Sequence, residues 1–231
     1  MRFAFLEDRG VRVAALSERV EGDFRFGGAG HERIERWAGA LGAVPNGVVR
    51  GEQIHGTRVV EVELGDAGRG FANGPPFPAT DGLATQTLGL GLVISVADCA
   101  PVYLAAPDHH AIALVHAGRE GTRSRAAARA VEVLSRAYGI PPHSILALIG
   151  PSAGPCCYEV DPETAREWTM AGWPADGRRL NLWDANRIQL EAAGVSPRRI
   201  EVSGICTICD GRFHSHRRHR DGQRNVALIA L

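Results

Sequence analysis

Two short stretches carry side chains suited to chemistry, Val96-Ala97-Asp98-Cys99-Ala100-Pro101 and Leu114-Val115-His116-Ala117-Gly118. Each sits where an apolar run, 90–96 or 111–115, meets small or turn-forming residues. That pattern predicts a buried strand delivering one reactive side chain at its end. A thiol and an imidazole carried on adjacent strands either ligate a metal or work as a nucleophile–base pair. The bland reading of a lone cysteine is a small buried hydrophobe, and that of a lone histidine a surface-turn residue. Against it, Asp98 and the Pro101 turn predict a polar rim at Cys99. Ala117-Gly118 puts His116 between a strand end and a glycine-rich helix entry, a ligand-binding position in α/β architectures. His55, in Glu52-Gln53-Ile54-His55-Gly56, precedes a glycine that lets a ligand or another backbone approach closely. As a trio, His55, Cys99 and His116 offer two nitrogens and a sulfur. This donor set suits a catalytic Zn²⁺ with one position open to water. Copper would accept the same donors.

The remaining cysteines read differently. Cys206-Thr207-Ile208-Cys209 has CxxC spacing and is the more natural place for a structural zinc, with Cys156 and Cys157 as further donors. The alternative for Cys156-Cys157 is a tight turn beside Pro155. The tail Phe213-His214-Ser215-His216-Arg217-Arg218-His219-Arg220 concentrates histidine and arginine. It lacks the interleaved aromatics of a nucleic-acid stacking platform, so it reads as a solvated basic loop or as an arginine pair folded in to bind phosphate or carboxylate.

The elements that must hold these residues are legible from hydrophobic periodicity. Strands are expected over residues 11–16, 57–63, 91–96, 102–105, 111–115, 145–149, 200–203 and 226–231. Helices are expected over 32–41, 122–138, 162–170 and 184–193. In the second of these Thr122 serves as cap and Ala127, Ala130, Val131, Leu134 and Tyr138 form the apolar stripe. The Gly/Pro-rich segment 65–80 reads as a loop long enough to act as a lid or covering flap. No repeat or linker interrupts the chain, which predicts one domain of mixed α and β over 1–231.

Composition narrows the function. With 231 residues, 45% of them hydrophobic, the chain can bury one substantial core. All 26 basic residues are arginine, which excludes Schiff-base lysine chemistry and a Walker-type phosphate lysine. The formal charge is zero, so no global field recruits nucleic acid or a membrane surface. No apolar run reaches the roughly 18–20 residues of a membrane span. The segment Met1-Arg2-Phe3-Ala4-Phe5-Leu6-Glu7-Asp8 turns acidic too early for a signal peptide, and five cysteines with two adjacent argue against a disulfide framework. The expectation is a reduced, cytoplasmic setting.

Several motifs occur together and in order: Gln53-Ile54-His55-Gly56, Ala97-Asp98-Cys99-Ala100-Pro101, Val115-His116-Ala117-Gly118, Ile149-Gly150-Pro151-Ser152-Ala153-Gly154-Pro155-Cys156, and Cys206-Thr207-Ile208-Cys209 followed by Ser215-His216-Arg217-Arg218. From about Gln53 to the C-terminus the chain resembles the YfiH/YlmD-type laccase-domain family, formerly called multicopper polyphenol oxidases and now regarded as zinc-dependent purine nucleoside phosphorylases. The resemblance implies an α+β fold of two packed mixed sheets covered by helices in an α/β/β/α arrangement. It also implies Zn²⁺ held at His55, Cys99 and His116. The implied activities are phosphorolysis of adenosine, inosine, guanosine and 5′-methylthioadenosine and hydrolytic deamination of adenosine; bacterial members are also linked to peptidoglycan editing.

On that basis Cys99, His116 and Asp98 are the expected catalytic residues, with Asp98 or Glu120 moving a proton. Arg217, Arg218, Arg119 and Gln53 are the expected phosphate and substrate contacts. The chain departs from the family where His-Ala-Gly-Trp-Arg-Gly becomes His116-Ala117-Gly118-Arg119-Glu120-Gly121, and where His216 replaces a tyrosine. Two other readings use the same residues: a metal-free Cys99/His116 hydrolase acting on amide or peptidoglycan bonds, and a non-catalytic metal-binding partner protein.

Overall fold

Nearly every long strand is apolar on both faces and therefore needs cover on both sides; the chain supplies it as four layers. The computed structural model describes residues 1–42 and 44–231. In chain order the elements are α1 (Ala4–Glu7), β1 (Val13–Leu16), α2 (Ala29–Ala40), β2 (Val48–Val49), β3 (Val59–Glu61), β4 (Gly82–Thr85), β5 (Gly91–Val96), β6 (Ala100–Ala106) and β7 (Ala111–Ala117). There follow α3 (Arg119–Arg123), α4 (Ala126–Tyr138), β8 (Leu146–Ile149), α5 (Pro162–Met170), β9 (Ala175–Asp176), β10 (Arg179–Leu180), α6 (Leu182–Ala192), β11 (Ile200–Val202), α7 (His216–His219) and β12 (Asn225–Ala230).

Two mixed sheets result, one in the order β1-β12-β5-β2 and one in the order β11-β8-β6-β7-β4-β3, as the α+β expectation required. Their inner faces share one core. Leu92, Ile94 and Val96 of β5 meet Tyr103 of β6, Ile112 and Leu114 of β7 and Leu148 of β8. The alternate residues face outward: Val93 and Leu228 pack under Ile34 and Ala38 of α2, while Val102, Leu104, Ala113 and Val115 pack under α4 and α6. Tyr103 ties the layers together, its buried hydroxyl donating to the Ala15 carbonyl of the other sheet at 2.9 Å.

Helix α4 buries Ala127, Ala130, Val131 and Leu134, the expected stripe, and Gly139 closes it with φ +67°. The helix expected over 122–138 is two helices, however. Arg125, at φ +66°, breaks the path between α3 and α4, and Thr122 is buried within α3, where its hydroxyl donates to the Ala117 carbonyl at 3.2 Å. α5 starts as expected, with the Asp161 carboxylate accepting from the Thr164 amide at 2.9 Å. Segment 65–80 is not a flap over the site, because pairing of Phe77 with Gly51 and Glu52 ties it down. No helix among the described residues is long and apolar enough to cross a membrane.

Candidate metal centre

The chain passes from one sheet to the other through Ala97-Asp98-Cys99, between β5 and β6. Asp98 takes φ +78° there, and its carboxylate compensates the strained turn. Oδ1 accepts from the Thr207 hydroxyl at 2.7 Å, and Oδ2 from the Ser215 hydroxyl at 3.0 Å and the Arg217 amide at 2.7 Å. The crossover leaves Cys99 at the seam between the sheets. On the neighbouring strand, His116 pairs with Pro101 across the β6–β7 ladder, so the thiol and imidazole do come from adjacent strands. His55 arrives from the loop between β2 and β3, with φ +64°. Donor atoms of His55, Cys99 and His116 all lie within 4.8 Å of one another.

Asp81, just before β4 and wholly buried, organises two of these residues and escaped the sequence reading. Its Oδ1 accepts from His116 Nδ1 at 2.8 Å and from the His55 amide at 2.9 Å. Its Oδ2 accepts from the amides of Ile54 at 3.0 Å and Gly56 at 2.8 Å. With Nδ1 committed, Nε2 of His116 is the nitrogen free to ligate. Desolvation is the largest influence on both Asp81 and Cys99 and would raise each pKa. Hydrogen bonds from His116 and the loop amides reverse it for Asp81, whose carboxyl is held below the usual range. His116 and His55 bring the Cys99 thiol down to about 6. Burial alone would lower the His116 pKa, but Cys99 and Asp81 lift it to about 9. Gly118 has no room for a side chain: a Cβ there would stand 2.7 Å from Cys99 Sγ and 3.1 Å from His55 Cδ2. Two imidazoles, one thiolate, a carboxylate behind one imidazole and an open side fit a catalytic rather than a structural zinc site.

The three donors border a cavity of about 700 Å³. Arg119, Arg217 and Arg224 line it, joined by Arg25 and Arg50, which no local pattern had singled out. Arg217 lies over the Tyr158 ring at 4.8 Å and donates to the Glu159 carbonyl at 2.7 Å. Arg50 stacks on Phe26 at 4.3 Å, and both Phe26 and Tyr158 line the cavity. Two expected contacts, Arg218 and Gln53, and one expected catalytic residue, Asp98, hold structural hydrogen bonds. Arg218 does not line the cavity; its guanidinium donates to the carbonyls of Thr207, Ile208, Asp210 and Phe213 and acts as a clamp for the tail. Gln53 lines the cavity, and its amide exchanges two hydrogen bonds with the Ser95 backbone, at 2.9 and 2.8 Å, which hold it in place and leave one N–H and one lone pair unengaged. Asp98 also lines the cavity, while its carboxylate accepts the three hydrogen bonds that hold the turn. Glu120 does face the cavity, paired with Arg119 at 2.9 Å and Arg123 at 2.9 Å. Burial, the largest single influence, pushes its pKa up, but Arg119 and Arg123 together outweigh it and hold the carboxyl below its usual range.

Fold and site together define a two-sheet α+β protein with a three-donor His/Cys centre at the seam between its sheets. The chain belongs to the family described as multi-copper polyphenol oxidoreductase laccase, whose profile matches residues 29–231. It is similar to purine nucleoside phosphorylase YlmD of Geobacillus stearothermophilus, 39% identical over 185 residues that cover 73% of this chain and 66% of that protein. The chain thus spans just under two thirds of that relative's length. Purine nucleoside phosphorylase ORF3 of Streptomyces griseus is 33% identical over 245 residues, covering 99% of this chain and 94% of its own. Among solved structures, YlmD from G. stearothermophilus superposes with a TM-score of 0.84 at 32% identity, covering 94% of this chain and 91% of its own. Hypothetical protein YfiH of Bacillus licheniformis follows at TM-score 0.83 and 30% identity, covering 95% and 92%.

Proposed function

We propose that residues 1–231 act as one laccase-type domain, a zinc-dependent purine nucleoside phosphorylase that also deaminates adenosine, with adenosine, inosine, guanosine and 5′-methylthioadenosine as substrates. The carrying observation is the convergence of His55, Cys99 and His116 on a cavity walled by arginine and aromatic side chains. Zn²⁺, when bound, supplies Lewis acidity and a water acidified toward neutrality. The chain's own residues do the rest. His55, Cys99 and His116 hold the ion, and Asp81 fixes the His116 tautomer. Arg217, with Arg25, Arg119 and Arg224, offers forks for phosphate beside C1′ of the ribose, where positive charge develops as the glycosidic bond breaks. Phe26 and Tyr158 present ring faces to a purine. Glu120, facing the cavity with its pKa lowered by Arg119 and Arg123, is the carboxylate that moves a proton in deamination, while Asp98 holds the turn.

The test is product analysis with adenosine, with and without phosphate. Phosphate-dependent adenine and ribose 1-phosphate, and phosphate-independent inosine and ammonia, are expected from the wild type and lost in Cys99→Ala. Zinc-replete protein that forms neither refutes the proposal.

A second reading has its own observation. Cys99, His116 and Asp81 are connected as nucleophile, base and orienting carboxylate, with the thiol near 6 and the imidazole near 9, the arrangement of a thiol hydrolase acting on amide or peptidoglycan bonds. It leaves His55 beside the thiol without a task, which favours the metal. Loss of one zinc per chain when Cys99 is changed to alanine, in protein purified without added metal, supports the metal reading, and unchanged zinc content supports the thiol hydrolase.

A further inference from the structure

A second group of thiols lies outside the His/Cys centre. Strands β8 and β11 are parallel neighbours, so the loops that leave their C-terminal ends run side by side and are joined by a bridge between Ser152 and Cys206. One loop carries Cys156 and Cys157, the other Cys206 and Cys209. The four sulfurs lie within 4.8 Å of one another. Hydrophobic burial does not explain this gathering, because Cys156 and Cys209 are exposed. The Cys206 sulfur accepts from the Gly154 amide at 3.3 Å. A backbone amide aimed at the first sulfur of a CxxC stabilises a thiolate. Four sulfurs about 2.3 Å from a central ion stand about 3.8 Å apart in a tetrahedron. Cys156 and Cys209 are 3.6 Å apart, close to that spacing; Cys157 and Cys209, at 3.0 Å, are nearer than it and would move apart on binding, and neither pair is at the roughly 2.05 Å of a disulfide.

We propose that Cys156, Cys157, Cys206 and Cys209 form a closed tetrathiolate site for one Zn²⁺ that staples the loop after β8 to the loop after β11. Binding replaces four S–H bonds by four S–Zn bonds and releases four protons to solvent. With all four positions filled by sulfur the site has no catalytic opening. Its role is positional. The first loop continues into Tyr158 on the cavity wall, and the second supplies Thr207 to Asp98 and the carbonyls that grip Arg218. The proposal stands apart from the nucleoside reading and is tested without turnover.

Cys99→Ala isolates the second site, because it removes the only thiol of the His/Cys centre. This variant, purified without added metal, should keep one zinc per chain by elemental mass spectrometry. Adding Cys206→Ser should reduce it to none. Reconstituted with Co²⁺, the Cys99→Ala protein should show the intense thiolate-to-cobalt charge-transfer band of a sulfur-only site. Peptide mapping of the wild type covers the case in which Cys206→Ser does not fold: exposed Cys156 and Cys209 should resist alkylation until a strong chelator is added, then react at least tenfold faster. Cys99→Ala protein that holds no zinc and gives no cobalt band, wild-type thiols that alkylate equally with and without chelator, or recovery of a Cys157–Cys209 disulfide would each overturn the proposal.

Discussion

Changing Asp81 to asparagine separates the geometry of the metal centre from its donor count. The carboxylate accepts four hydrogen bonds, two at each oxygen, from His116 Nδ1 and the amides of His55, Ile54 and Gly56. Asparagine keeps one accepting oxygen and replaces the other by a donor. If its NH₂ faces Ile54 and Gly56, two amides lose their partner at about 1–3 kcal/mol each. If it faces His116, Nδ1 must become the acceptor, the proton moves to Nε2, and that nitrogen no longer ligates. Loss of such an orienting carboxylate costs about 10–100-fold in metal affinity, or about 1.4–2.7 kcal/mol. Asp81→Asn should therefore bind zinc at this centre at least tenfold more weakly, and the metal-free protein should lose about 2 kcal/mol or more of stability by urea unfolding. The affinity is read by competition with a chromogenic chelator in a Cys206→Ser, Cys209→Ser background, so that only the His/Cys centre is titrated. An affinity within threefold of that background would show that Asp81 does not set the His116 tautomer.

Four other variants test the cavity and the tail beside it. Gly118→Ala suits the local backbone, which is extended at φ −72°, but its Cβ meets Cys99 Sγ and His55. It should weaken zinc binding at least tenfold while circular dichroism stays unchanged, and unaltered affinity would count against the tight seam. Arg217→Ala should raise the KM for phosphate about tenfold with zinc content and melting temperature unaffected, whereas Arg218→Ala, which frees four carbonyls, should lower the melting temperature by several degrees; the reverse pattern would exchange their roles. Arg119→Trp with Glu120→Arg breaks exposed ion pairs that contribute little to stability. It should raise the ratio of adenine to inosine formed from adenosine several-fold, and an unchanged ratio would show that this pair does not limit phosphorolysis.

Local sequence carries information when a residue's neighbours in the chain are also its physical partners. That is why β5, β6 and β7, the stripe of α4 and the Asp161 cap of α5 were legible: periodicity and capping act over a few residues. The short β2 and the β9–β10 hairpin carry too few residues to show a period. Cys99 and His116 were legible for a related reason, since each stands at the end of an apolar run.

The supporting residues were not, because their partners are distant in the chain. Asp81 meets His116 across 35 positions, Asp98 meets Ser215 across 117, and Gln53 meets Ser95 across 42. From sequence, Asp98 and Gln53 look like reactive polar groups in a motif. In the folded chain each is also held by hydrogen bonds to backbone and hydroxyl groups. Sequence by itself determined which residues can bind a metal and which strands deliver them, since donor chemistry and apolar periodicity belong to residues and their near neighbours. Only the tertiary structure decided that Asp81 stands behind His116, that Arg217 faces the cavity while Arg218 turns away, and that four cysteines from two loops meet. Those facts depend on how β6 and β7 and then β8 and β11 pair, and strand pairing is a long-range choice no local pattern encodes.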